Sequence, residues 1–64
     1  MDNDFVGRSY VAIDAPSTVW VVTEEVEKGM KIPHARLLKS GEPGATKLIA
    51  LNALMDERLY RRAD

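Results

Sequence analysis

The stretch TVWVVTEEV, residues 18–26, constrains this chain more than any other. Successive side chains of an extended segment point to opposite sides, so Val19, Val21 and Thr23 face one way and Trp20 and Val22 the other. Both sides are apolar near the middle. A strand of that kind belongs at the centre of a sheet, with cover on both faces. The following "EKGM" supplies a turn in which Gly29 takes a positive φ. "KIPHARLL" then returns as a second strand. A turn centred on Lys28 and Gly29 sets Trp20 opposite Leu37, Val22 opposite Ala35 and Thr23 opposite His34, which pairs apolar with apolar on one face. Pro33 has no ladder donor and is expected at a bulge or an unpaired edge position.

The remaining segments fit around this hairpin. "RSYVAI", residues 8–13, reads as a first strand that stops at "DAPS", where Asp14, Pro16 and Ser17 favour a turn. "KSGEPGA" is a glycine- and proline-rich loop, and "TKLIAL", residues 46–51, is a further strand with Ile49 and Leu51 inward. Two readings fit "NALMDERLYRRAD". One is a single helical turn over "NALMD" followed by a last strand, "RLYRR". The other is a helix over "NALMDERLYRR" capped by Asn52, with Leu54, Met55 and Leu59 at helical spacing. A lone helix of about ten residues is marginal, so the turn and strand are preferred. The expected core is Val11, Ile13, Val19 or Val21, Trp20, Val22, Leu37, Ile49, Leu51, Leu54 and Leu59.

The expected fold is therefore all-β: a small, partly open five-stranded barrel with a short helical turn before the last strand. The alternative is α+β, an antiparallel sheet carrying a C-terminal helix. Residues 1–6 form a flexible tail and residues 7–62 a single small domain. In element order and size, "GRSYVAI", "TVWVV", "HARLL", "TKLIAL" and "NALMD" before "RLY" resemble the small SH3-like barrels, including Tudor and KOW-type domains. The resemblance covers residues 7–62 and implies a barrel that works as a binding module. It extends to no specific functional family. Proline-motif binders carry a cluster of aromatic residues beside a long acidic loop, where this chain has only "DAPS". A methyl-lysine cage needs several rings around a cation. Tyr10, Trp20 and Tyr60 would meet only with Trp20 turned to solvent, and its pairing with Leu37 turns it inward.

Sixty-four residues make one domain, which buries only about 60% of the surface its unfolded chain exposes. There is no cysteine to add a disulfide or a thiolate metal site. That absence and the missing apolar targeting segment point to a reducing, cytoplasmic compartment, of bacterial type for so small a protein. The starting Met and compact layout favour a whole protein. The apolar runs are too short to span a bilayer. Nine Lys and Arg against ten Asp and Glu leave a formal charge of −1, so the molecule as a whole is not a polycation.

Catalysis finds little support. His34 and Arg36 share one strand face, but proton transfer needs a positioned partner in a cleft, and a single His with scattered carboxylates does not make a metal site. "GEPGATK" departs from the phosphate-loop spacing, and a strand follows it where that loop requires a helix. Glu42 and Pro43 also sit at the tip where a nucleic-acid-clamping G-x-x-G loop must approach phosphate. Glu24, Glu25 and Glu27 fit a solvated hairpin tip. The expected function is thus a non-catalytic interaction module without cofactor, metal or membrane. It would bind a protein partner, or itself, through a sheet edge or through His34, Arg36 and Tyr60. The alternative is nucleic-acid contact through Arg58, Tyr60, Arg61 and Arg62, with Arg8, Arg36 and Lys47 in support: Arg58, Tyr60 and Arg62 would share a strand face, a ring for stacking between two guanidinium groups.

Overall fold

A computed structural model describes residues 5–63. It contains β1 (Ser9–Ala12), β2 (Ala15–Val26), β3 (His34–Lys39), β4 (Thr46–Ala50), α1 (Leu51–Leu54) and β5 (Tyr60–Arg62). All neighbouring strands are antiparallel, in the order β4-β3-β2-β1-β5. The fold is all-β, an unclosed five-stranded sheet with one helical turn before its last strand, as expected. Of the tail expected over residues 1–6, positions 1–4 lie outside the described residues. Phe5 packs against the core.

β2 is the central strand, and the loop before it is two residues long, against the four of "DAPS" that its sequence implied. Ile13 and Asp14 alone form the β1–β2 turn, and Ala15, Pro16 and Ser17 already belong to β2. Pairing jumps from Val11–Val19 to Ala12–Ala15, so Pro16 sits in a bulged stretch where no ladder donor is demanded of it. The β2–β3 connection is longer than expected. Gly29 does take a positive φ, 81°, but the loop runs from Glu27 to Pro33. Pro33 falls outside the ladder, and its carbonyl accepts from the Leu51 amide at 3.0 Å.

The longer loop changes the register. Trp20 lies opposite Lys39, Val22 opposite Leu37 and Val26 opposite His34, replacing the expected pairs of Trp20 with Leu37, Val22 with Ala35 and Thr23 with His34. The first part of this slip is two residues, which preserves which side chains share a face. A bulge between Val22 and Glu24 then reverses the alternation. Thr23 occupies it, and its hydroxyl donates to the Arg36 carbonyl at 3.2 Å. Beyond the bulge, Glu25 pairs with Ala35 and so lies on the inner face, while Glu24 pairs with Arg36 on the outer one.

The inner face holds the core: Tyr10, Val22, Ala35, Leu37, Leu51, Leu54 and Tyr60, with Phe5, Ala12, Trp20 and Ile49 packed against it. Val22, Leu37 and Leu54 are essentially sealed from solvent. Two expected core residues are not: Ile13 is 45% and Leu59 48% exposed. Both stand beside the correct residue. The tight β1–β2 turn puts Ile13 at its tip, and β5 turns Tyr60 inward in place of Leu59. Val11 is buried but outside the inner cluster, opposite Val19 and Arg61 on the other face.

α1 is one turn without a side-chain cap. Its N-cap is Ala50, and Asn52, the expected cap, lies exposed within the helix. Burial of Leu51 and Leu54 holds it, as it must for a helix far below the length that persists alone. Asp56 then redirects the chain. Its side-chain Oδ1 accepts from the Arg58 amide at 3.0 Å, and its carbonyl accepts from the Leu59 and Tyr60 amides at 2.8 and 3.0 Å. An Asx-type turn of this kind delivers Tyr60 to the core at the start of β5.

Candidate interaction surfaces

Three places bear on function: the outer sheet face, an aromatic pair holding a lysine on the inner face, and a cavity where α1 and β5 meet β1.

The outer face is set by the registers. Val21, Leu38 and Thr46 form one row across β2, β3 and β4. Glu24, Arg36 and Leu48 form the next, and Val26, His34 and Ala50 the third. Val19 and Val21 are half-buried, as is Leu38, and Leu48 is 40% exposed. α1 contacts β4 and β5, and its Leu51 and Leu54 join the inner core rather than these rows. The expectation that β2 would be covered on both faces is met in full on the inner face, where Val22 is sealed, and in part on the outer one, where Val19 and Val21 are half-buried.

His34 and Arg36 do share this outer face. The Arg36 Nε donates to Glu24 Oε2 at 2.6 Å, and both side chains are largely exposed. His34 Nδ1–H donates to the Ile32 carbonyl at 2.8 Å, which fixes the ring over the loop entering β3. Tyr60, grouped with them in sequence, lies on the inner face and is buried. The three do not form one surface.

Tyr60 belongs to a different cluster. Lys47 lies opposite Leu37 and reaches inward, where its ammonium stands 4.3 Å from the Trp20 ring centre and 5.3 Å from that of Tyr60. Its Nζ also donates to the Tyr60 hydroxyl at 2.9 Å. Tyr10 pairs with Trp20 on the same face. Trp20 and Tyr60 thus converge because Trp20 turns inward, the reverse of the condition expected from sequence, and a lysine of the chain itself supplies the cation.

The C-terminal arginines part company. Arg58 lies in the turn before β5, where its Nη2 meets Asp56 Oδ2 at 2.9 Å and its Nε meets Oδ1 at 3.1 Å. These bonds hold the Asp56 carboxyl below its ordinary value of 3.8 and raise Arg58, in each case chiefly through the side-chain hydrogen bond. Arg58 therefore does not share a strand face with Tyr60 and Arg62, and the Tyr60 ring is not presented for stacking. Arg62, opposite Tyr10, and Arg8 border a cavity of about 640 Å³; Arg61 also lines it, although it pairs with Val11 on the other face. Tyr10, Leu54 and Tyr60 form its apolar floor, and Phe5, Met55 and Glu57 complete the walls. The Arg8 guanidinium lies 4.8 Å from the Phe5 ring centre. Arg8, named with this group in the sequence, stands two residues before Tyr10, which puts both on one side of the extended backbone.

Among the described residues no cluster of His, Cys, Asp and Glu has the makings of a metal site, and no helix is long and apolar enough to cross a membrane. No family model matches the chain, and neither a curated protein nor a solved structure matches it significantly.

Proposed function

We propose that this chain is a non-catalytic interaction module that docks a second copy of itself through the outer face of β2, β3 and β4. One observation carries the reading: β2 is apolar on both sides, and only its inner side joins the sealed core, while Val19, Val21 and Leu38 stay half-buried and Leu48 exposed. Apolar side chains placed across three strands gain roughly 25 cal/mol for each Å² removed from water. The face is also self-complementary in charge. Glu24 and Arg36 stand side by side, so a two-fold axis through this face brings each to its opposite on the other copy. The strand order, with a helical turn before β5, supports a likeness to the small SH3-like barrels, which implies a binding module.

Sedimentation over a range of concentrations tests this, together with methyl NMR of Val21, Leu38 and Leu48. The expected result is a reversible dimer, concentration-dependent shifts confined to the outer face, and a monomer for Leu48→Asp with unchanged stability. A wild-type chain that stays monomeric throughout, with those methyl signals unmoved, sinks the reading. A complex with a different protein through the same methyls would replace the second copy as the partner.

A further inference from the structure

We infer that β4 is a pairing edge, which joins β4 of a second copy antiparallel and in register about Leu48. This interface is separate from the face-to-face docking proposed above and stands without it. Among the described residues the sheet ends at β4 on one side and at β5 on the other. The two ends differ. β5 is three residues long and carries Arg61 and Arg62, the short and charged kind of edge that resists pairing. β4 runs for five residues, Thr46–Ala50, in unbroken register with β3 and without a proline or a bulge. The Lys39 amide donates to the Ala45 carbonyl at 2.9 Å and the Leu51 amide to the Pro33 carbonyl at 3.0 Å, so positions 45 and 51 bond toward β3. An antiparallel ladder alternates. Lys47 and Ile49 therefore bond toward β3 as well, and Thr46, Leu48 and Ala50 turn their amides and carbonyls away from it. Ala50 is still extended, with φ −63° and ψ 139°, so the edge stays regular up to α1.

The symmetry of this edge selects a second copy as its occupant. Leu48 is the midpoint of β4 and one of its outward residues. A two-fold axis beside it sets Leu48 against Leu48 of the other chain and Thr46 against Ala50, so every outward amide meets an outward carbonyl. Moving the axis to Lys47 sets two lysines opposite each other, and moving it to Ile49 carries Leu51 of α1 into the ladder. An inward charge on an edge strand ordinarily guards it against pairing. Here the Lys47 ammonium is already committed, 4.3 Å from the Trp20 ring centre and bonded to the Tyr60 hydroxyl at 2.9 Å. In the register centred on Leu48, the Lys47 stem lies beside Ile49 of the second copy. On the outer face, Leu48 is 40% exposed and stands next to Arg36 in its row. Pairing brings the two Leu48 Cα atoms to about 5.5 Å and continues the row of Glu24, Arg36 and Leu48 into its two-fold equivalent. Main-chain hydrogen bonds then supply the affinity, and the leucine pair and the Lys47–Ile49 neighbours supply the register.

NMR of the full chain tests the pairing. The Thr46, Leu48 and Ala50 amides should exchange freely in dilute solution and become protected as the concentration rises. A mixture of labelled and unlabelled chains should show an intermolecular contact between the Lys47 and Ile49 α-protons, the close approach made by a non-hydrogen-bonded pair. Thr46→Pro removes one outward amide and leaves the β3–β4 ladder whole. It should weaken pairing by about tenfold or more, as the loss of hydrogen bonds predicts. Thr46→Val keeps that amide and should pair like the wild type, which separates a lost bond from a damaged fold. Val21→Asp lies on β2, two strands away. It should abolish face-to-face docking and leave the Lys47–Ile49 contact in place, so that either interface can fail without the other. Exchange at the three amides that does not change with concentration overturns the proposal. So does a Thr46→Pro chain that pairs as tightly as Thr46→Val, or an intermolecular contact from β4 to Arg61 in place of Ile49, the mark of a head-to-tail assembly. Protection that appears only when an extended peptide of another sequence is added would overturn the second copy as occupant.

Discussion

The two faces of β2 are nearly equal in sequence and unequal in the folded chain. On the inner side, Val22 is 1% exposed and meets Leu37, also sealed, and Trp20 packs against the same cluster. On the outer side, Val19 and Val21 remain half-buried beside Leu38 and the exposed Leu48. Hydrophobicity does not separate them. What separates them is the supply of covering elements. The chain's one helical turn, with Leu51 and Leu54, folds to the inner side, and the Asp56 turn then sends Tyr60 there as well. The lesson is that an apolar strand face in a very small domain states a demand for cover, and a partner can meet it where the chain does not.

Neighbouring leucines on β3 make the largest test of that difference. Leu37→Ala opens a cavity in the sealed core, and such losses run about 2–5 kcal/mol. A single small core supplies only about 3–5 kcal/mol in total, so this variant should be largely unfolded, with collapsed amide dispersion. Leu38→Ala removes the same atoms one residue away from the half-buried face and should cost about 1 kcal/mol or less in dilute solution, read from the urea midpoint. Repeating the measurement at high concentration sharpens the contrast. If the outer face is an interface, the Leu38→Ala deficit grows with concentration, because association stabilises the wild type and not the variant. Equal losses for the two variants at every concentration would break the distinction between the faces.

The same contrast explains how much could be read from sequence. The central place of β2, the strand order implied by its flanking loops and the single helical turn before β5 all follow from local composition. The hairpin register was two residues off, yet Trp20, Val22, Ala35 and Leu37 still fell on one face, since a slip of two conserves alternation. The bulge at Thr23 was not legible. It depends on fitting a long curved strand against β3, and it alone places Glu25 inward, where Oε1 is buried without a hydrogen-bond partner. The phase of β1 was also misjudged. Counting aliphatics turned Val11 and Ile13 inward, whereas the cross-strand pair of Tyr10 with Trp20 sets the inner side. Leu59 and Tyr60 repeat the case: the residue delivered by the turn is the aromatic one. Of the candidate site residues, His34 and Arg36 were correctly placed together by simple alternation. Tyr60 and Lys47 meet across 13 positions of sequence, a contact no local pattern announces.

Lys47 gives the next largest effect, because it brings charge among the aromatic rings of the inner face. Removing its ammonium in Lys47→Met keeps most of the stem and deletes the ring contacts and the bond to Tyr60. Cation–π contacts contribute about 0.5–2 kcal/mol and a hydrogen bond about 1 kcal/mol, partly offset by the better burial of the thioether. A net loss of about 1–2 kcal/mol is expected, with a change in Trp20 fluorescence. Lys47→Arg should recover part of it through stacking on Trp20. A methionine variant as stable as wild type would show that the inner face needs its apolar contacts alone.

The smallest effect concerns the turn that sends Tyr60 inward. The Asp56 carboxyl is held below 3.8, first by the side-chain hydrogen bond from Arg58 and next by the Arg58 amide. A carboxylate with a depressed folded-state value stabilises the fold above its unfolded value and loses that contribution as the pH falls through the depressed one. Stability should therefore decline as the pH drops below about 4, where the unfolded carboxylate begins to take up protons. Asp56→Asn retains an oxygen able to accept from the Arg58 amide but removes the ion pair. Its urea midpoint should lie slightly below wild type at neutral pH, and the two should converge in acid. The gap stays small because the Arg58 side chain is 88% exposed and salt screens such pairs. Added salt should narrow it further at neutral pH while leaving the Leu37→Ala deficit untouched. A gap that persists undiminished in acid would mean that Asp56 acts through turn geometry alone, making the entry of Tyr60 into the core independent of charge.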